Sequence, residues 1–224
     1  MKPIIGIITR PGKSKVGHDT MLVYKQVSDV VIKFGGIPIG VIPPIIDELY
    51  DKTIDNTKAM TEKEYTEYKR ILDLCDGIIC QGGDDYYDYD IKAIKYAYDI
   101  DKPLLGICLG MQTMGALFNG YIEDMDTKFH LQKHAEYVHL VKLKKDSILS
   151  KVYHQDYVYT NSRHKSMVVK TNLDIVGYSD DGIIEAIEDP TKKFFIGVQW
   201  HPESMIEYDI LTNRLFTYFI DKCK

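Results

Sequence analysis

Cysteine is scarce: four residues in 224, with no Cys-x-x-Cys pair. That count excludes a disulfide framework for a chain of this length and points to free, reduced thiols. Long apolar runs are missing as well. No stretch approaches the roughly 20 residues that span a bilayer. The opening Met1-Lys2-Pro3-Ile4-Ile5-Gly6-Ile7-Ile8 is too short an apolar run for a signal peptide. Positive charge is not in excess: 28 Lys and Arg face 33 Asp and Glu, for a net charge of −5. This excludes an electrostatic footprint for nucleic acid and a basic helix for a membrane surface. There is no internal repeat, low-complexity tract or linker. What remains is a cytoplasmic globular protein, with residues 1–224 read as one domain.

Tyrosine is plentiful, with 17 copies, several of them between Tyr86 and Tyr98. Buried amphipathic packing is their default role. Through the first half of the chain, short apolar runs alternate with helical patterns. Residues 3–9 form such a run, stopped by the loop marker Thr9-Arg10-Pro11-Gly12. Asp19-Thr20 can cap a helix reaching Phe34, ended by Gly35-Gly36. Residues 37–42 are a second strand. Thr61 and Glu64 make a capping-box pattern for a helix to about Cys75. Further strands are predicted at 77–80 and 103–107, with helices over 90–100 and from Leu109 onward. The second half carries strands near 136–143, 157–160, 174–178, 183–187 and 194–199, and a closing helix over 204–221. Asp180-Asp181-Gly182 is a hairpin turn signal. The pattern predicts an α/β fold: a doubly wound, mostly parallel central sheet with helices on both faces and added antiparallel strands.

Gly106-Ile107-Cys108-Leu109-Gly110 falls where a predicted strand turns into a helix. Such a turn points one side chain out of the top of the sheet, and its neighbours must be small. The helix N-terminus behind Cys108 favours a thiolate, and the Leu109 N–H faces a developing oxyanion. Cys75 (on a helix face), Cys80 (inside a strand) and Cys223 (in the tail) lack this context.

Trp200-His201-Pro202-Glu203 lies far downstream, at a predicted strand's carboxyl end. Glu203 can accept from one ring nitrogen of His201 while the other faces the thiol. The remaining histidines, among them His18, His130, His134, His139 and His154, read as surface or core residues. His130 and His134 are spaced i, i+4, but without a partner carboxylate in pattern they read as a solvated pair. Gln81-Gly82-Gly83-Asp84-Asp85 ends another strand, and its paired glycines can turn backbone amides toward a ligand.

The run Gly106 to Gln112, together with Gln199-Trp200-His201-Pro202-Glu203 and Gly182-Ile183-Ile184-Glu185-Ala186, resembles the class I glutamine amidotransferase superfamily. The order Cys…His…Glu fits, and the resemblance spans nearly the whole chain. It implies a flavodoxin-like arrangement of the sheet. Three features are similar to the γ-glutamyl hydrolase (C26 peptidase) branch, which includes γ-glutamyl-γ-aminobutyrate hydrolase. They are the opening Lys2 to Thr9, the Gly82-Gly83-Asp84 loop with Tyr86-Tyr87, and Asn161-Ser162-Arg163-His164. Two features depart from it. Leu109 stands where those hydrolases usually carry arginine and is similar to the glutaminase branch. Asn119-Gly120-Tyr121-Ile122-Glu123-Asp124 replaces a Gly-Gly-x-Leu-x-Gln-Asp run.

The resemblance implies hydrolysis of a γ-glutamyl amide through a thioester on Cys108, with His201 moving protons and Glu203 orienting it. Gly83 and Leu109 would supply the oxyanion hole. Gly82, Gln112, Ser162, His164, Tyr86 and Tyr87 are the substrate-binding candidates. No metal or organic cofactor is needed, and the partner is a small γ-glutamyl substrate. A homodimer is compatible with this reading. The alternative is a glutaminase subunit that passes ammonia to a partner synthase.

Overall fold

The computed structural model describes residues 1–45, 59–125 and 129–224. In chain order the first half runs β1 (Ile4–Ile8), β2 (Arg10–Lys13), β3 (Asp19–Leu22), α1 (Lys25–Lys33), β4 (Ile37–Val41), α2 (Glu62–Asp73), β5 (Gly77–Cys80), α3 (Asp88–Asp99), β6 (Leu104–Ile107) and α4 (Leu109–Leu117). The second half follows with β7 (Tyr121–Asp124), β8 (His139–Leu143), α5 (Ile148–Tyr153), β9 (Tyr157–Thr160), β10 (Ser166–Lys170), β11 (Asp174–Ser179), β12 (Ile184–Glu188), β13 (Phe195–Val198) and α6 (Ile210–Lys222).

Nine strands make one sheet in the order β4-β1-β5-β6-β13-β12-β11-β8-β9. The first five are parallel and the last four antiparallel. Among the parallel strands, the second in the chain lies outside the first and the others follow in sequence, which is the flavodoxin-like order. The predicted doubly wound fold is thus observed. Two apolar clusters cover the sheet. One takes Val27, Val30 and Val31 of α1 with Leu215, Phe216 and Phe219 of α6. The other takes Tyr68 and Leu72 of α2 with Tyr89, Ala93 and Ile94 of α3. The central strands β5, β6 and β13 are buried at every residue, which explains their unalternated apolar runs.

Several local expectations fail. The chain from Arg10 to Leu22 is a two-stranded hairpin, β2 pairing with β3, and not a loop followed by a helix start. Helix α1 begins only at Lys25, behind Tyr24, with no side-chain cap. Asp19 pairs with Lys13 across the hairpin instead of capping. The closing helix is shorter than predicted. A 3-10 turn, Pro202–Ser204, comes first, and Asp209 then caps α6 by accepting from the Leu211 N–H at 2.8 Å. The β7–β10 ladder and α5 had no strong periodicity to announce them.

Candidate active site

Arg10, Gln81, Cys108 and His201 all sit just past the carboxyl ends of adjacent parallel strands β1, β5, β6 and β13. This is the rim where open α/β sheets build their sites. Cys108 closes the turn from β6 to α4 with φ +51° and ψ −104°. A non-glycine residue held there costs about 1–3 kcal/mol and persists only where the surroundings enforce it. Gly110 lets them do so: a Cβ there would strike the Cys80 carbonyl of β5, and one at Gly106 would strike Met114. The sharp turn with small neighbours is therefore real.

His201 follows β13. Its Nδ1 lies 2.7 Å from Glu203 Oε1. Its remaining ring nitrogen is left free for Cys108, which is among the groups that raise its pKa. Burial works against a charged ring, but Glu203 and Cys108 outweigh it and raise the His201 pKa to about 10. The raised pKa favours the imidazolium at neutral pH. Asn161 holds the same residue by its backbone, donating to the His201 carbonyl and accepting from its N–H, both at 2.8 Å. Gln199 Nε2 points at Cys108 Sγ from 3.5 Å, and its Oε1 accepts from Gln112 at 3.1 Å. That orientation of the amide gives the sulfur a donor.

The Gly82-Gly83 loop stands directly over this group. A Cβ on Gly82 would lie 2.9 Å from His201 Cε1 and 3.7 Å from the Cys108 Cβ. One on Gly83 would lie 3.0 Å from the Leu109 side chain. Leu109 is the first residue of α4, so its N–H has no partner within the helix. Beneath the loop, Arg10 donates to the carbonyls of Gln81, at 2.8 Å, and Gly82, at 3.2 Å. Burial, then Asp84, raises the Tyr24 phenol above its usual value, with smaller contributions from Cys108 and Glu203. Tyr24 thus borders the site.

The other predicted site residues are placed differently. Gln112 is buried and donates to the Ser166 carbonyl at 2.8 Å as well as to Gln199. Ser162 and His164 are buried too, turned inward toward His130 and Glu185. Tyr87 stacks on Tyr89, with ring centroids 5.3 Å apart, and Tyr86 is exposed. The other thiols lie elsewhere. Cys75 is buried just beyond α2 against Gly6, Cys80 inside β5, and Cys223 at the end of α6 under Gly77, so Cys223 is no loose tail residue.

The solvated reading of His130 is overturned. Its ring is fully buried beside His139, His164 and Glu185, while His134 is exposed. The carboxylate comes from β12, which spacing along one helix could not reveal. Arg10, Asp90, Asn161, Gln199 and Tyr24 were given no individual role from sequence, although Gln199 and Asn161 stand inside quoted motifs.

With this geometry established, comparison with known proteins is informative. The model of the family described as Peptidase C26 matches residues 85–203. The chain belongs to the peptidase C26 family. It lies within the class I glutamine amidotransferase-like superfamily, whose chemistry is cysteine-dependent amide hydrolysis. A glutamine amidotransferase-like protein of Rickettsia prowazekii is 26% identical, over 90% of this chain and 91% of its own length. A CTP synthase of Lactiplantibacillus plantarum is 30% identical over 76% of this chain, which spans only 38% of that enzyme. The glutaminase domain of a Trypanosoma brucei CTP synthase, solved with bound acivicin, superposes with a TM-score of 0.66 at 18% identity. That match covers 99% of this chain and 94% of the other, and it shows the fold. No helix among the described residues is long and apolar enough to cross a membrane.

Proposed function

We propose that this family member is a glutaminase of the amidotransferase type, releasing ammonia from the side-chain amide of glutamine for a partner synthase. The observation that carries the chemistry is Cys108, strained at the head of α4 and facing the Gly82 loop together with a His201 whose Nδ1 is held by Glu203. The likeness to CTP synthase over three quarters of the chain and Leu109 after the nucleophile support glutamine as the amide.

In the proposed reaction the Cys108 sulfur attacks the γ-carbonyl carbon. The N–H groups of Leu109 and Gly83 donate to the oxyanion. The C–N bond breaks as the His201 imidazolium gives its proton to the departing nitrogen, leaving a γ-glutamyl thioester and ammonia. His201, now neutral, takes a proton from water as the oxygen attacks. Collapse expels the sulfur and frees glutamate. Glu203 supports the imidazolium at both ends of the cycle. Gly82 keeps the space above the sulfur clear. Gln112 holds Gln199 beside the sulfur, while Ser162 and His164, turned toward His130 and Glu185, take no part in the reaction.

A second reading, a stand-alone γ-glutamyl amine hydrolase, is favoured by the match to the Peptidase C26 model and by Asn161-Ser162-Arg163-His164. In it Tyr86 and Tyr87 wall the leaving amine. The two are separated by incubating the purified chain with glutamine and with a panel of γ-glutamyl amines, alone and with the CTP synthase or other synthase subunits of its organism. Glutamine turnover stimulated by a synthase supports the first reading. Turnover of γ-glutamyl amines without glutamine supports the second. An inert chain under every condition rejects both.

A further inference from the structure

Behind the nucleophile lies a buried group that the proposed reaction does not use. Three ring nitrogens, His130 Nδ1, His139 Nε2 and His164 Nε2, each stand 3.5 Å from the same atom, Glu185 Oε1. The four side chains are buried, and their facing atoms all lie within 4.8 Å of one another. Among the described residues, neither oxygen of Glu185, nor Nε2 of His139 or of His164, has a hydrogen-bond partner. Stranding four such atoms together in the interior is costly unless something joins them.

The outer nitrogens show what is missing. His164 Nδ1 lies 3.0 Å from the Ser166 carbonyl, which can only accept, so its proton is there and Nε2 presents a lone pair. His130 Nε2 lies 3.0 Å from Asp181 Oδ2, which can take its proton, while Nδ1 lies 3.1 Å from the Ser162 hydroxyl as well as 3.5 Å from Glu185. The Ser162 hydroxyl beside that Nδ1 donates to the His130 carbonyl at 2.9 Å. His139 Nδ1 faces Thr160 Oγ1 at 3.4 Å, with Nε2 directed inward. Three ring nitrogens thus converge on one carboxylate oxygen, and the outward acceptors Ser166 and Asp181 leave His164 and His130 able to present lone pairs to it. That arrangement suits a cation.

We propose that His130, His139, His164 and Glu185 bind one zinc ion in a closed, structural site. This goes beyond the proposed function and does not depend on it. A tetrahedral zinc with nitrogen and oxygen ligands at about 2.0–2.2 Å has ligand–ligand edges of about 3.4 Å. The three Glu185 edges, at 3.5 Å, already match. The rings close the remaining edges by moving inward. Three imidazoles and one carboxylate suit Zn²⁺ among common ions, and four protein ligands leave no open position for catalysis. Asp181 behind His130 makes a carboxylate–histidine–metal relay. Its charge and that of Glu185 balance the ion. The site ties β8, β12 and the segment after β9 to the back of the active site. There the Glu185 carbonyl accepts from the Gln199 N–H at 2.8 Å, on the residue that reaches Cys108.

The test uses the untagged 224-residue chain carrying Cys108→Ala, so that this thiol cannot take the metal, and a second form that also carries His18→Gln, His134→Gln and His154→Gln at exposed positions. Elemental analysis after gel filtration should give about one zinc per chain in both forms. Chelation followed by Co²⁺ should produce the intense visible bands of a tetrahedral site. Adding Zn²⁺ at a thousandfold over its Kd should raise the Tm of the stripped protein by roughly 8 °C or more. Glu185→Gln and, separately, His139→Phe should fold by circular dichroism and lose the metal, the cobalt bands and the zinc-dependent shift. Should both fail to fold, the stoichiometry, spectrum and shift of the parent forms still decide. Absence of bound metal and of any shift in the parent, or retention of all three signals in a folded Glu185→Gln, overturns the site and leaves a network held by protons alone.

Discussion

Arg10 and Asp90 form a bidentate ion pair in the interior: Arg10 Nη1 lies 2.6 and 2.7 Å from the two carboxylate oxygens, with the side chains 3% and 1% exposed. Arg10 comes from the end of β1 and Asp90 from the first turn of α3, and the same guanidinium reaches the Gln81 and Gly82 carbonyls. Burial raises the Asp90 carboxyl, and Arg10 opposes that rise. Removing one partner strands the other charge. Asp90→Asn should therefore cost about 3–5 kcal/mol in urea denaturation. Arg10→Met with Asp90→Leu should recover much of that stability but not turnover, since the carbonyls under the Gly82-Gly83 loop lose their donors. Full recovery of turnover would show that the pair has no part in shaping the loop.

The four thiols should differ sharply in reactivity. Burial pushes Cys75 up to about 11 and Cys223 to about 12, and Cys80 higher still. Cys108 alone stands beside an imidazolium and a helix N-terminus. Brief iodoacetamide treatment of the native protein at pH 7.5, read by peptide mass spectrometry, should modify Cys108 first and almost exclusively. First modification at any other cysteine would contradict the assigned nucleophile.

Protonation of His201 is coupled to the fold with a definite sign. Its folded pKa, about 10, is above the ordinary value of about 6.5. The stabilisation is complete below that ordinary value and is lost as pH rises through about 10. Glu203→Gln removes the strongest of the influences that raise it. The stability gap between wild type and this variant should be widest near neutrality and should close above pH 10, as measured by urea titrations across pH. A gap that widens with pH would mean the ring is neutral at rest. His201→Ala should cost on the order of a thousandfold in kcat, and Glu203→Gln less.

Asn161 grips His201 only through its main chain. Asn161→Ala should lower kcat by roughly 10- to 100-fold through misplacement of the ring, with KM little changed. Steady-state kinetics with glutamine or a γ-glutamyl amide would separate the two constants. A rise in KM with kcat intact would make Asn161 a substrate contact instead.

Much of the site was legible because its chemistry is local in sequence. Gly106 and Gly110 flank the thiol, and Glu203 is two residues from His201, so short motifs carried them. The parallel strands were legible because burial on both faces leaves unbroken apolar runs. Contacts that join distant segments were not. Arg10 read as a loop residue because its partner is 80 residues away, and nothing in Thr9-Arg10-Pro11-Gly12 announces a buried charge. His130 looked solvated because its neighbours arrive from β8, the segment after β9, and β12. The β2–β3 hairpin was missed because Asp19-Thr20 carries a helix-cap signature that pairing with Arg10–Lys13 overrides.

The placement of β13 has a consequence for how the molecule comes into being. This strand is inserted between β6 and β12, and it bears His201 at its end. Until it arrives, β6 presents an unpaired apolar edge, and the whole chain from Cys108 to Lys193 must already have been made. A nascent chain can thus assemble the first four strands of its parallel layer and its thiol turn early, yet the sulfur has no His201 imidazole until the last of the described strands has been synthesised. Fragments ending before β13 should accordingly be sticky and chemically silent. On the proposed chemistry, the order of the strands withholds the base from the Cys108 thiol until synthesis is nearly complete.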